Sequence, residues 1–250
     1  MIATCKLCLE ERELRLSHII PEFLYKPAYD EKHRASELIV DQAQLRYLQK
    51  GLRERLLCDG CEGRIGIYEK YFADAWFQGH LRPERPKGRI VSIAGLDYRL
   101  FKLFHLSVVW RAGVSSLEFF ELVKLGPHAE RIREMLIRGD PGPWERYPFW
   151  ATLTVDPESR RIIDDLIIEP TRAKVEGHVV YTFSYAGCTW HFFVTSHRPR
   201  RKLLVAPFNE SGTLTLGVLS LLEDPLVSDV HDRYTSQKAK LAASSKKTRA

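Results

Sequence analysis

Two Cys-x-x-Cys pairs place the strongest constraint on how this chain can fold. Cys5 and Cys8 form the first pair, and Cys58 and Cys61 form the second, about 50 residues later. Four thiolates are the ligand set of a closed, tetrahedral zinc site, which leaves no position open for water. The chain has five cysteines in all, so two such pairs predict a structural zinc centre. Two disulfides, or four unrelated buried thiols, are the alternatives.

A histidine lies on a predicted strand between the two cysteine pairs. Apolar residues alternate with polar ones from Leu14 to Ile20, which is typical of a half-buried strand, and His18 falls on the same face as the leucines. A single histidine on an apolar face is commonly a core residue. The position of His18 between two zinc knuckles favours a catalytic role, so both interpretations stay open at this point.

Together these motifs resemble a known family of nucleases. The order Cys-x-x-Cys, Ser-His-Ile-Ile-Pro and Leu-Cys-x-x-Cys is similar to that of the HNH endonucleases, the ββα-metal, treble-clef nucleases, in their four-cysteine branch, and covers about residues 3–78. The resemblance implies that the four cysteines bind zinc and that His18 is the general base that activates water. It also implies a nucleic-acid partner, with double-stranded DNA expected.

The chain departs from the family pattern at two positions. Glu62 stands directly after the last cysteine, where the family usually has a metal-binding histidine. The family also has an asparagine several residues before the third cysteine, whereas Asn209 is the only asparagine here. Because a carboxylate suits the hard ions Mg²⁺ and Mn²⁺, Glu62 is the candidate ligand of a catalytic metal. The missing asparagine favours the alternative, a catalytically inactive zinc-finger-like adaptor that binds nucleic acid or protein.

A second carboxylate borders the same face of a predicted helix. Apolar residues recur with helical spacing from Gly60–Cys61 to about Gln78, which predicts a helix there. Glu69 lies about 10 Å along the axis from Glu62, so one ion cannot touch both carboxylates. We therefore expect Glu69 to hydrogen-bond the groups around the metal or to form a salt bridge.

The positive charge of the chain is concentrated in two segments. The net charge is +6, and residues 236–250 carry five lysines and arginines without an acid, so the rest of the chain is near +1. A solubilising tail and a tail with non-specific affinity for DNA are both open interpretations. A Gly- and Pro-rich linker at 79–97 carries the candidate phosphate contacts, although exposed linkers are often basic without a function. These candidates are Arg82, Arg85, Lys87 and Arg89.

The order of the predicted elements indicates an α+β protein. We expect an N-terminal treble-clef zinc unit (ββα-metal-like), a helical middle and an antiparallel β-rich C-terminal half. The expected segments are an HNH-like zinc-binding domain at 1–80, a basic linker and helical region at 81–143, a β-rich domain at 144–222 and a basic tail with a disordered composition at 223–250. The C-terminal half is the candidate surface for a protein partner.

Several helices are predicted within this frame. Leu38, Leu45 and Leu48 suggest a partly helical insertion at Pro21–Lys50, and Ser115-Ser116-Leu117-Glu118 resembles a capping box that opens a short helix through Val123. Arg111 lies inside the apolar helix predicted at Tyr98–Ala112, and because burial of an unpaired arginine is costly, an internal salt bridge is expected. Pro127 and Gly139 delimit a helix from His128 to Arg138.

Strands are predicted where the period of the pattern changes to two, and a tight turn is expected at Ala186-Gly187. The aromatic residues of these strands are expected to form core, with base stacking as the alternative. The segment from Leu214 to Leu222 fits a strand or a short helix. The predicted strands are Phe149–Val155, Ile162–Ile168, Val179–Tyr185, Thr189–Val194 and Leu203–Pro207.

The sequence contains no run of 18 uncharged apolar residues, so no transmembrane helix and no membrane partner is expected. Residues 1–8 lack the features of a signal peptide. Because paired cysteine knuckles are typical of reducing compartments, a cytoplasmic location is expected.

Overall fold

The chain has a mixed α+β architecture in the computed structural model, which describes residues 1–32, 34–39, 44–49, 51–79, 81–197, 199–200, 206–225, 228 and 232. The strands are β1 (Ile2–Thr4), β2 (Glu11–His18), β3 (Arg34–Ile39), β4 (Gln44–Gln49), β5 (Arg53–Cys58), β6 (Ile90–Ile93), β7 (Phe149–Val155), β8 (Ile168–Val175), β9 (His178–Tyr185), β10 (Cys188–Phe193) and β11 (Leu214–Ser220). The helices are α1 (Asp59–Ala73), α2 (Tyr98–Val114) and α3 (His128–Arg138). Most of the predicted basic tail and of the strand predicted at Leu203–Pro207 lies outside the described residues.

The N-terminal unit is a small antiparallel sheet that α1 contacts. Its strands lie in the order β1-β2-β5, and β2 pairs with β5 so that Leu14 faces Cys58 and His18 faces Arg53. Because β5 leads directly into α1, the helix begins beside the second cysteine pair, with two acidic residues in its first turn, where the helix dipole favours negative charge. A π-helical segment, Asp74–Gln78, extends the helix, so the predicted end of the helix is confirmed.

The insertion between β2 and β5 differs from the prediction. Short 3₁₀ turns at Glu22–Leu24 and Lys26–Ala28 come first, and β3 and β4 then form an antiparallel hairpin. The described part of this segment contains no α-helix, so the helical interpretation of Leu38, Leu45 and Leu48 is wrong. The three leucines fit a helical period only loosely, and the hairpin instead pairs Leu38 with Leu45 across its two strands.

Helices α2 and α3 follow the predictions closely. Asp97 caps α2 by accepting a hydrogen bond from the Leu100 N–H at 2.8 Å. The helix α3 ends at Gly139, which has a left-handed φ of 66°.

The capping box predicted at Ser115–Glu118 opens only a 3₁₀ turn, Glu118–Phe120, because both serines bond a distant carboxylate instead. None of the described helices is long and apolar enough to cross a membrane.

The described C-terminal residues build a sheet in the order β6-β11-β7-β10-β9-β8. Neighbouring strands are antiparallel except β11 and β7, which are parallel, so the expected antiparallel sheet needs this correction. The segment from Leu214 is a strand, and the linker at 79–97 contains β6, which pairs with β11. The predicted strand Ile162–Ile168 is wrong, since only Ile162 bridges to Val155 and the strand lies later, at β8.

The inner face of this sheet packs on α1 and α2. The rings of Phe72 from α1 and Phe104 from α2 stack with centroids 3.9 Å apart, and Trp190 from β10 packs beside them. Most buried hydrophobic residues that are described belong to one cluster, which reaches from Cys5 to Val218. The aromatic residues of the sheet are core, as expected, and the predicted domain boundaries stay a prediction. These buried aromatics are Tyr181, Phe183, Tyr185, Trp190 and Phe192.

Candidate metal centre

Four cysteine sulfurs converge where the N-terminal sheet meets α1. The ligand atoms of Cys5, Cys8, Cys58 and Cys61 all lie within 4.8 Å of one another, and the sulfurs of Cys8 and Cys58 are 3.9 Å apart. A tetrahedral zinc ion with Zn–S bonds of about 2.3 Å requires sulfurs about 3.8 Å apart. A disulfide requires about 2.05 Å, and all four cysteines are free. The cluster can therefore hold a metal ion, and it is compatible with the predicted structural zinc.

Backbone hydrogen bonds shape the first cysteine pair into a tight loop. The Leu9 N–H donates to the Cys5 carbonyl, and the Cys5 N–H donates to the Glu10 carbonyl, both at 2.9 Å. Leu9 has a φ of 65°, in the left-handed region, where the chain reverses into β2. The Cys58 N–H also donates to the sulfur of Cys5 at 3.3 Å, which ties the two cysteine pairs together.

The environment acts differently on the thiols of the cluster. Burial tends to raise the pKa of Cys5, but hydrogen bonds from the backbone of Cys8, Cys58 and Leu7 outweigh it and hold that pKa at about 7. Burial raises the pKa of Cys61 far above its ordinary value, and it also raises the pKa of Cys8. Since a metal binds the deprotonated sulfur, binding of a cation here must release protons.

His18 is half-buried at the end of β2, and each of its two neighbours in the chain makes a hydrogen bond to β5 or to the residue before it. The hydroxyl of Ser17 accepts a hydrogen bond from the Leu57 N–H at 3.1 Å. The Ile19 N–H donates to the Leu52 carbonyl at 3.0 Å. The pairing of β2 with β5 therefore extends to His18, which faces Arg53.

Glu69 is the helix carboxylate that the structure brings beside the His18 main chain. Nη1 of Arg111 donates to the carbonyl of His18 and pairs with Glu69 Oε1, each at 2.7 Å. Arg111 is only 1% exposed, so the internal salt bridge expected for this arginine is confirmed. One buried nitrogen thus links β2, α1 and α2.

Glu62 lies in the first turn of α1, directly after Cys61. Its Oε1 is buried and has no hydrogen-bond partner among the described residues. Buried polar atoms are rarely unpaired, and a bound cation is one way to satisfy such an oxygen. His18 faces Arg53, about 17 Å along β5 from the cysteine end, and Arg111 links its main chain to Glu69. The joint catalytic site of His18 and Glu62 stays a prediction.

The four basic residues of the linker have different surroundings. Arg82 is largely buried and forms a salt bridge with Asp164, and Arg89 forms an exposed salt bridge. Arg85 and Lys87 are exposed, and no ion pair within the described residues neutralises them. Their contact with phosphate stays a prediction, and the geometry favours Arg85 and Lys87 over Arg82.

Two further contacts that the sequence analysis missed join the N-terminal unit to the helices. The carboxylate of Glu54 accepts hydrogen bonds from the hydroxyls of Ser115 and Ser116 at 2.8 and 2.7 Å. Burial tends to raise the pKa of Glu54, but these bonds hold it below its usual value. Arg133 from α3 donates to the Leu7 carbonyl at 2.6 Å. The partners are far apart in the chain, so no local pattern shows these contacts.

The chain matches no protein-family model, no curated protein and no solved structure. Its function must therefore be inferred from the four-sulfur cluster, from His18 and from the two carboxylates of α1.

Proposed function

We propose that this protein is a divalent-metal-dependent nuclease that hydrolyses phosphodiester bonds in DNA on an HNH-like, treble-clef scaffold held by zinc. The supporting observation is the order of the parts around the four-sulfur cluster. The first cysteine pair leads into the strand that ends at His18, and the second pair leads from β5 into α1. This is the order that the nuclease motifs require.

In this proposal His18 is the general base that accepts a proton from the attacking water. Both neighbours of His18 are held by hydrogen bonds, Ser17 through its hydroxyl and Ile19 through its main-chain N–H, and a base must be held within hydrogen-bond reach of the proton it takes. The unpaired buried oxygen of Glu62 is the proposed ligand of Mg²⁺ or Mn²⁺. When bound, such an ion would stabilise the negative charge that develops on the leaving oxygen.

A second candidate function is a zinc-held adaptor that binds nucleic acid or protein without cleaving it. A specific observation favours it: the carboxylate beside the His18 main chain, Glu69, is already neutralised by Arg111. Glu62 lies about 10 Å further back along the helix. In the adaptor, His18 would be a structural residue and the exposed Arg85 and Lys87 would contribute charge to the binding surface.

Nicking of a supercoiled plasmid in the presence of Mg²⁺ or Mn²⁺ separates the two functions. The nuclease proposal expects nicking by the wild type that His18→Ala abolishes and Glu62→Gln greatly reduces. His178→Gln is the matched control, because His178 is a half-buried histidine on β9, outside the proposed site. Nicking that survives His18→Ala contradicts the assignment of the base. A wild type that nicks with neither ion but binds duplex DNA supports the adaptor.

A further inference from the structure

The buried guanidinium of Arg111 makes an unusually specific set of contacts. Its Nε donates to the Ser107 carbonyl at 3.3 Å, and its Nη2 donates to the Ser107 hydroxyl at 3.4 Å, so the group is anchored on its own helix. The remaining nitrogen, Nη1, is left to bond the His18 carbonyl and Glu69. Because a guanidinium is planar and rigid, fixing two of its nitrogens also fixes the direction of the third.

From this geometry we infer that Arg111 is a positioning residue that sets the orientation of His18. The inference rests on the proposed function of His18 as a base. Ser17 and Ile19 are held by the neighbouring strand, and the carbonyl of His18 itself is held by α2 through Arg111. The peptide that carries the imidazole is therefore fixed from two directions, by the sheet and by the helix.

Glu69 has a defined part in this arrangement. A buried arginine is tolerated only when it is paired, and Glu69 supplies the opposite charge at 2.7 Å. The carboxylate therefore keeps the guanidinium in place, and the guanidinium keeps the His18 peptide in place. This assigns Glu69 to the support of His18 and leaves Glu62 as the carboxylate available to a metal.

The hydrogen bonds between Glu54 and the two serines, Ser115 and Ser116, also lie close to His18. Glu54 is on β5, next to the residue that faces His18, and Ser115 directly follows α2. The C-terminal end of α2 thus contacts both strands that meet at His18, through Arg111 on one and through Ser115 and Ser116 on the other. A change in α2 at this end should therefore be transmitted to the base.

The variant Arg111→Lys tests the inference, and Arg133→Lys is its matched control. Both arginines donate to a main-chain carbonyl of the N-terminal unit and pair with a glutamate, but Arg133 bonds Leu7, in the first cysteine loop. A lysine cannot reproduce the rigid fork of either arginine. Loss of general packing should therefore appear in both variants, whereas loss of His18 orientation should appear in Arg111→Lys alone.

The first readout is the NMR signal of the His18 imidazole, assigned by its loss in His18→Gln. We expect this signal to move in Arg111→Lys and to stay in place in Arg133→Lys, with bound zinc measured in both. A His18 signal in zinc-loaded Arg111→Lys that superimposes on that of the wild type would overturn the inference. If Arg111→Lys does not fold, Glu69→Gln decides in the same way, because it keeps the acceptor oxygen and removes the charge.

The second readout is the kinetics of plasmid nicking. Misplacement of a catalytic group by about 1 Å can reduce the rate on the order of 100-fold. We expect Arg111→Lys to lower kcat roughly 10- to 100-fold at unchanged KM, and Arg133→Lys to change neither. An equal loss in both variants contradicts a positioning role. Absence of nicking by the wild type would refute the proposed function, and the NMR comparison would then decide the inference about Arg111 alone.

Discussion

Replacement of Lys102 by methionine should change the stability of the protein in opposite directions at neutral and at alkaline pH. The residue is 1% exposed, and its Nζ donates to the hydroxyl of Tyr98 at 3.0 Å and to the carbonyl of Pro143 at 2.7 Å. Burial lowers the pKa of Lys102 from 10.5 to about 7, and the carboxylates of Glu210 and Glu145 oppose this only in part.

The sign of the effect follows from the protons bound in each state. In the unfolded chain the amine keeps its ordinary pKa, so between pH 7 and 10.5 the unfolded state binds the additional proton and stability rises with pH. Below about pH 7 the full cost of the buried charge is present. The shift corresponds to about 5 kcal/mol, at about 1.4 kcal/mol per pH unit.

The methionine variant removes this cost but leaves the carbonyl of Pro143 without its donor, which costs about 1–3 kcal/mol. Lys102→Met should therefore be roughly 2–3 kcal/mol more stable than the wild type at pH 7, about equally stable near pH 9, and less stable above that pH. The measurement is urea unfolding at pH 7, 8.5 and 10, with the exposed-lysine variant Lys124→Met as the control. The other titrating groups are the same in the variant and the wild type, so their contribution cancels in the difference between the two free energies of unfolding. A difference for Lys102→Met that stays constant with pH would show that the amine keeps its ordinary pKa in the folded protein.

Three further predictions concern single side chains. Glu54→Ala should lower the free energy of unfolding by about 1–3 kcal/mol at pH 7. Because the pKa of Glu54 is held low in the folded protein, this loss of stability should shrink in acid. A loss, measured by urea unfolding, that is equal at pH 7 and pH 3.5 would contradict the role of its three hydrogen bonds. Gly187→Ala should destabilise far more than Gly177→Ala in thermal unfolding, because both have positive φ but only at Gly187 would the added Cβ clash with the side chain of Ile162. Cys188→Ser should leave the metal content unchanged, since Cys188 lies outside the four-sulfur cluster.

The sequence predicted most reliably those features that depend on local chemistry. The spacing of the cysteines indicated a shared site, because ligand geometry permits few alternatives. Pro127 and Gly139 gave the bounds of α3, and Ala186-Gly187 gave a hairpin turn in which both residues have positive φ. For the helix and the turn, a few neighbouring residues decide the conformation without help from the rest of the fold.

The secondary-structure predictions that are wrong concern segments whose conformation depends on contacts with distant parts of the chain. The apolar run from Ile162 was predicted as a strand, but Asp164 pairs with Arg82 and the chain joins the sheet only at Ile168. Ser115 and Ser116 read locally as a helix cap, whereas their partner is Glu54, about 60 residues earlier. Such a partner has no signature near the serines.

In the candidate site, too, the sequence indicates what a residue needs but not which distant residues supply it. The apolar context of Arg111 correctly indicated that it must be paired, because an unpaired buried charge is too costly. Its partners, Glu69 and the carbonyl of His18, come from two other elements. The resemblance to the nucleases implies a site shared by His18 and Glu62, which stays a prediction, whereas the link from the His18 main chain through Arg111 to Glu69 has no signature in the sequence.

Both candidate functions require four sulfurs to hold one metal ion at the junction of the N-terminal sheet and α1. X-ray absorption at the zinc edge of the purified protein, with the metal content measured in parallel, reports the ligands of that ion. We expect about one zinc per chain, bound by four sulfurs at about 2.3 Å, and loss of the metal in Cys58→Ser. A zinc shell made of nitrogen and oxygen, or a metal-free protein in which Cys58 is joined to Cys8 by a disulfide, would rule out the four-sulfur centre.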